Sequence, residues 1–219
     1  MSAALELVGV EIRHRDRILV PRFDLAVEAG CVATVMGPSG TGKSTLLAFV
    51  GGFLDPVFAA RGKVLVAGRD VTALPPEARG IGLLFQDDML FPHLDVGANL
   101  AFGLSVELRG RAARQAAIAA ALHSAGLAGF ERRDPATLSG GQRARVAALR
   151  ALLAAPRALL LDEPFASLDA GLRAGFRAFL LARLAELRVP GILVTHDPDD
   201  AAAAGGAIVR LPASPPVQT

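Results

Sequence analysis

Gly37-Pro38-Ser39-Gly40-Thr41-Gly42-Lys43-Ser44-Thr45 follows the apolar run at residues 31–36 and precedes Leu46-Leu47-Ala48-Phe49-Val50, which stops at Gly51-Gly52. The order reads strand, glycine loop, helix. Gly37 and Gly42 with Lys43-Ser44 behind them match the pattern in which backbone N–H groups and a helix N-terminus surround a polyphosphate. Lys43 is expected to neutralise the outer phosphates, and the Ser44 hydroxyl to sit on Mg²⁺, a hard cation that takes oxygen ligands. A glycine-rich strand-to-helix turn is the ordinary alternative. Rarity decides between the two: of 23 basic residues only Lys43 and Lys63 are lysines, and one stands at the required position.

Outward from the loop, residues 5–12, 23–28, 63–67 and 81–85 are short apolar or alternating runs bounded by glycine, proline or charge, and read as strands. Gly68-Arg69-Asp70 and Pro75-Pro76 read as breaks. From Asp95 to about Ala155 the pattern becomes alanine-rich helix, interrupted at residues 126–129 and at Asp134-Pro135. Strand and helix then alternate again: residues 158–161 are continuously apolar and end in Asp162-Glu163, residues 172–187 are helical, and residues 192–195 end in His196. This alternation predicts an α/β fold with a parallel sheet. Ligands of such sheets gather beyond the carboxyl ends of the strands, where Gly37, Asp162, Glu163 and His196 would emerge.

A chain of 219 residues suits one large domain with a subdomain. Its hydrophobic fraction of 52% and mean hydropathy of +0.43 raise the question of a membrane protein. Residues 146–161 answer it, because the richest apolar stretch is broken by Arg150, Pro156 and Arg157. Met1-Ser2-Ala3-Ala4-Leu5-Glu6 lacks the basic start and apolar middle of a secretory leader, so a cytoplasmic protein is expected. Cys31 is the only cysteine, which excludes an internal disulfide and a cysteine metal cage; a buried strand thiol is expected. A net charge of +2, with a pI of 9.3 that reflects arginine use, announces no nucleic-acid partner. The proline-rich stretch at residues 212–219 is expected to be a short frayed tail, too short for a regulatory domain.

Two further stretches carry chemistry. Ala158-Leu159-Leu160-Leu161-Asp162-Glu163 is what a P-loop ATPase needs opposite that loop, an expected buried strand on which Asp162 would hold Mg²⁺, mostly through water, and Glu163 would face an attacking water as general base. Taken alone, an acidic pair there is also an ordinary strand end. Leu138-Ser139-Gly140-Gly141-Gln142 precedes a helix with Val146, Leu149 and Leu153 at helical spacing. Ser139 reads as its cap, and local physics leaves open whether the glycines do more than turn the chain.

The ordered set of residues 37–45, Gln86, Leu138 to Gln142, Leu161-Asp162-Glu163-Pro164, Ser167-Leu168-Asp169 and His196 closely resembles the ATP-binding subunit of ABC transporters, over nearly the whole chain. Leu84-Phe85-Gln86, Leu90-Phe91-Pro92-His93-Leu94 to Asn99, and Asp162-Glu163-Pro164-Phe165 resemble the thiamine, spermidine, ferric-iron and sulfate importer groups most. The resemblance implies a P-loop ATPase with a mainly parallel core sheet, an antiparallel β subdomain and an inserted helical subdomain. Residues 1–86 and 156–211 would form the nucleotide-binding core with the β subdomain, and residues 87–155 or so the helical subdomain, in one domain spanning 1–219.

By the same resemblance, residues 37–45 would hold ATP, and Ser44, Gln86 and Asp162 the Mg²⁺. Gln86 would be the switch glutamine, Glu163 the base, and His196 the residue that keeps γ-phosphate and Glu163 in register. Ser139, Gly140, Gly141 and Gln142 would contact ATP held by a second copy, with Asp169 at the dimer seam. Partners would be that second copy, integral membrane permease subunits meeting the patch Met89, Leu90, Phe91 and Leu94, and an external solute-binding protein. No nucleic acid is expected, and the subunit would sit peripherally on the cytoplasmic face of the plasma membrane.

Family members carry an aromatic ring near the end of the first strand to stack on adenine; here Ile12-Arg13-His14-Arg15 stands there, without Tyr or Trp anywhere, and His14 is the candidate. Residues 53–62 run slightly longer than the family norm. Two other classes compete. A soluble ABC-type ATPase acting on nucleic acid or ribosomes would want a coiled-coil insertion or tandem cassettes, and a small-molecule P-loop kinase has no use for residues 138–142 and 167–169.

Overall fold

The computed structural model describes residues 4–212. Strands β1 (Leu5–His14), β2 (Arg17–Val27), β4 (Phe58–Val66) and β5 (Arg69–Asp70) form an antiparallel sheet in the order β2-β1-β4-β5. Along β1 the buried residues are Leu5, Leu7, Val10 and Ile12, so the two-residue alternation slips by one between Leu7 and Val10. A bulge at Gly9 causes the slip. The residue takes φ +58°, its N–H donates to Asp24 Oδ1 at 2.6 Å, and the pairing shifts register against both neighbours there.

The second sheet orders β6 (Ile81–Leu84), β7 (Ala158–Asp162), β8 (Gly191–Thr195), β3 (Val32–Met36) and β9 (Gly205–Arg210), with parallel pairing of β7 to β8 and of β3 to both β8 and β9. Every residue of β3 and β8 is buried, as expected of strands covered on both faces. Helix α1 (Lys43–Gly51) follows β3 through the glycine loop. Buried Arg79 closes its far end: Nη1 donates to the Phe49 and Val50 carbonyls at 2.8 Å, while Nε reaches Leu74 O and Nη2 reaches Thr72 O. A cation on the last carbonyls of a helix satisfies orphan acceptors and suits the helix dipole.

The chain divides into two compact units. The first comprises the residues up to Leu83, Arg157–Glu163 and those from Arg183 onward. Its core joins Leu5, Ile12, Val20 and Val64 of the antiparallel sheet to Val35, Leu160, Ile192 and Leu46. The second comprises Leu84–Pro156 and Pro164–Ala182. It contains α2 (Val96–Gly103), α3 (Arg111–Ser124), α4 (Gly140–Leu153) and the start of α5 (Ala170–Leu187), around Val96, Leu100, Ile118, Leu122, Val146 and Leu149. Gly103 is required where α2 meets α4, because a Cβ there would strike the Arg150 carbonyl.

Several expectations are revised. Cys31 is exposed, because it sits in the turn before β3, its N–H bonded to Glu28 O, rather than within the strand. Arg69-Asp70, read as turn, pairs with β4 as a short strand, and the reversal itself falls at Ala67 and Gly68, both with positive φ. Helix α6 (Pro198–Ala204) and β9 were not anticipated; Asp197 caps the helix and Gly205 ends it at φ +67°. Gln86, placed with the core by the sequence, falls in the second unit, as does Pro164–Ala182. The expected tail beyond Pro212 and the first three residues lie outside the described residues. Among the described residues no helix is long and apolar enough to cross a membrane.

Candidate functional site

In the first unit the loop at residues 37–45 takes its shape from two positive-φ glycines, Gly40 at +78° and Gly42 at +89°. Gly42 is the N-cap of α1 and brings no side-chain cap, so the first-turn N–H groups of the helix are available to an anion. Lys43 is buried, and its Nζ donates to the carbonyls of Gly37 at 2.8 Å and Pro38 at 2.9 Å. An ammonium has three donors, so one remains for a phosphate oxygen. Thr41 Oγ1 donates to Pro38 O at 2.9 Å and locks the loop from inside, whereas Pro38, Ser39, Gly40 and Ser44 are exposed and Thr45 half-buried.

Ser44 Oγ donates to Asp162 Oδ1 at 3.2 Å. This hydroxyl and carboxylate are hard oxygens, and together they fit a Mg²⁺ that keeps waters and phosphate oxygens as its other ligands. Burial pushes the Asp162 carboxyl above the usual carboxylate range and the Glu163 charge adds to it, while the Ser44 hydrogen bond and Lys43 pull it back. An ionised Asp162 therefore costs the metal-free fold stability above its raised native value, a cost absent below the ordinary carboxylate range. Asp162→Asn is expected to raise the metal-free melting midpoint by about 2 °C at pH 7, to give no gain near pH 4, and to abolish Mg²⁺-dependent turnover. A lower midpoint at pH 7 on calorimetry would contradict the burial cost.

Glu163, next in sequence, has φ +46°, a left-handed conformation rare for a side-chain-bearing residue. Its N–H bonds Val194 O at 3.0 Å, and its Oε2 lies 2.7 Å from Nδ1 of His196 at the end of β8. The pair is 63% exposed on the histidine side, so it positions more than it stabilises.

His14 does not stand alone at the other side of the loop. Its ring lies 5.3 Å from that of Phe58, and both line a pocket of about 350 Å³ with Arg17, Leu19, Gly40, Gly42, Lys43, Ser44 and Thr45. The sequence reading missed Phe58. Its signal was the cross-strand register, since Phe58 pairs directly with His14 between β4 and β1, inside the stretch at residues 53–62 read as slightly long.

The second unit collects the remaining candidates. Ser139 caps α4 in a full capping box: its Oγ accepts from Gln142 N–H at 3.3 Å, and Gln142 Oε1 accepts from Ser139 N–H at 3.0 Å. The N–H groups of Gly140 and Gly141 lie outside that box. Gly141 is buried against Leu172, and a Cβ on it would lie 3.1 Å from that side chain. Asp169 Oδ1 accepts from Leu172 N–H at 3.0 Å, and Ser167 Oγ lies 3.4 Å from the Gln86 carbonyl. Gln86 itself is exposed.

Residues 20–166 match the family model described as ABC transporter. The chain belongs to the ABC transporter family. As a member it is an ATP-binding protein with ATPase activity. It is 46% identical over 192 residues to an uncharacterized ABC transporter ATP-binding protein, YnjD, of Escherichia coli (strain K12), covering 88% of each chain. It is 43% identical over 210 residues to the thiamine import ATP-binding protein ThiQ of Rhizobium meliloti (strain 1021), covering 96% of this chain and 86% of that one. It is also 43% identical over 201 residues to the sulfate/thiosulfate import ATP-binding protein CysA of Mycobacterium tuberculosis (strain ATCC 25618 / H37Rv), covering 92% of this chain but only 56% of the relative.

Proposed function

We propose that this ABC protein energises import of a small solute through a membrane permease, working as two copies that close on two ATP molecules at the cytoplasmic face of the membrane. The observation that carries the reading is the loop built around Lys43 with Ser44–Asp162 and Glu163–His196 beside it in one compact unit. Relatives named for thiamine and sulfate/thiosulfate import support a small solute as the cargo class, and an external solute-binding protein belongs to the same proposal.

In this reading the α1 N-terminus and Lys43 hold the phosphates, and His14 with Phe58 stacks on adenine. Ser44 and Asp162 would hold Mg²⁺, the ion whose role the resemblance also gives to Gln86, and it would supply neutralisation of the phosphate charge. Glu163 accepts the proton of the attacking water. With Nδ1 of His196 donating to Oε2, the second carboxylate oxygen is left for that water. Residues 139–142 and Asp169 complete the site of the other copy, presenting the Gly140 and Gly141 N–H groups to its γ-phosphate. The ATPase acting on ribosomes or nucleic acid gains no support from the import relatives.

The permease is met by apolar side chains of the second unit. Phe102 is 71% exposed with its ring edge-on to Phe91 at 4.8 Å, and Val106 and Met89 are exposed nearby in sequence. Leu90, Phe91 and Leu94 are half-buried and Leu90 packs on the core, so Phe91→Asp would confuse docking with folding. Phe102→Asp is the cleaner test. It is expected to cut permease association and solute uptake at least about 10-fold, with basal ATP hydrolysis kept and the melting midpoint within about 2 °C. A large fall in the midpoint would assign the patch to packing.

A further inference from the structure

The segment that follows Gln86 is tied to the helix that follows Ser139. Arg143, in the first turn of α4, donates from Nε to Asp88 Oδ2 at 3.2 Å and from Nη1 to the carbonyl of Leu138 at 2.9 Å. One guanidinium therefore grips the residue two beyond Gln86 and the residue just before Ser139. Arg150 lies seven residues on, about two turns along the same face. Its Nη2 donates to the Asp88 carbonyl at 3.3 Å, its Nη1 reaches Asn99 Oδ1 at 3.5 Å, and its guanidinium carbon sits 5.3 Å from the Phe91 ring centre.

Asn99, fully buried on α2, closes the arrangement. Its Oδ1 accepts from Phe91 N–H at 2.8 Å, and its Nδ2 donates to the carbonyls of Phe91, Leu94 and Asp95 at 3.0 to 3.1 Å. Met89, between Asp88 and the segment stapled by Asn99, is held at φ +49°. A left-handed non-glycine residue persists only where its surroundings over-determine it, and here Arg150, Asn99 and Arg143 do so from both sides.

We propose that Arg143 and Arg150 are positioning residues whose grip on Asp88 makes the Gln86 loop and the Ser139 loop move as one piece. The inference rests on the roles given above to Gln86 and to residues 139–142. A displacement of Gln86 on binding nucleotide is then delivered to the loop that meets the other copy's ATP. Without the Asp88 carboxylate the Arg143 grip is lost and Arg150 holds only the Asp88 carbonyl, so nucleotide binding at residues 37–45 survives while its effect at 138–143 fades. The ion pair is partly exposed, so its loss changes global stability little.

The test is hydrogen–deuterium exchange of the full chain with and without Mg-ATP, alongside steady-state hydrolysis. In the wild type ATP is expected to slow exchange in peptides covering 37–45 and 138–143. In Asp88→Ala the slowing at 37–45 is retained, that at 138–143 falls about five-fold, and kcat falls by a similar factor at unchanged KM. Reversing the pair, Asp88→Arg with Arg143→Asp, is expected to restore part of both. Slowing at 138–143 in Asp88→Ala equal to that of the wild type would overturn the proposal. Absence of any ATP effect at 37–45 in the wild type would overturn it by a separate route, through the nucleotide-binding reading on which it rests.

Discussion

Glu163→Gln is expected to lower ATP turnover at least about 100-fold while ATP still binds, and to leave the protein as an ATP-bound dimer. Glutamine matches the carboxylate in size and still accepts a hydrogen bond from His196 Nδ1, which lies 2.7 Å from Oε2 in the native pair. The left-handed backbone at φ +46° and the bond from its N–H to Val194 O are main-chain features that the substitution leaves in place. What disappears is proton affinity, so the fall belongs to the chemical step. Single-turnover hydrolysis and light scattering measure the two effects separately. A variant that turns over ATP at the native rate would remove Glu163 from the role of base.

Lys43→Ala acts earlier, on binding. The residue is only 6% exposed and its ammonium is already committed to the carbonyls of Gly37 and Pro38, so it both shapes the loop and brings the charge that phosphates meet. Alanine removes one charge-assisted bond to the nucleotide and two that hold the loop around it. Hydrogen bonds to charged groups are worth about 1.5–3 kcal/mol each, so nucleotide affinity is expected to fall by about 10- to 100-fold. Calorimetric titration with Mg-ATP reads this directly. Unchanged affinity would count against the phosphate-loop assignment itself.

These two residues were legible in the sequence because their signals are local. A glycine loop between a buried strand and a helix, and a carboxylate pair at the end of an apolar run, each occupy fewer than ten consecutive residues. Features that depend on distant chain segments were not legible. Phe58 joins His14 only through the pairing of β4 with β1, and the run Ala59-Ala60-Arg61-Gly62 behind it carries weak strand propensity. Strand β9 escaped notice because it begins Gly205-Gly206, yet glycine is demanded there: a Cβ on Gly206 would strike the Val32 carbonyl of the neighbouring β3.

Backbone strain was equally hidden. Nothing in Asp162-Glu163-Pro164 announces a left-handed Glu163, and nothing near Gln86 announces a left-handed Met89. Arg79, Arg143 and Arg150 read as three arginines among many, although each donates to main-chain carbonyls far from it or at a helix end. The spread of the remaining site residues over two units follows from the chain path, which leaves the core after β6 and again after Glu163.

In the function proposed above, ATP closes two copies of this chain to drive a membrane permease. The most direct test is capture of partners by tagged Glu163→Gln protein with Mg-ATP from detergent-solubilised membranes of the native host, compared with Lys43→Ala and read by mass spectrometry. One or two polytopic membrane proteins are expected to be retained by Glu163→Gln and lost or sharply reduced with Phe102→Asp added. Recovery of ribosomal or nucleic-acid-bound proteins alone, with nothing from the membrane, would contradict the proposed function.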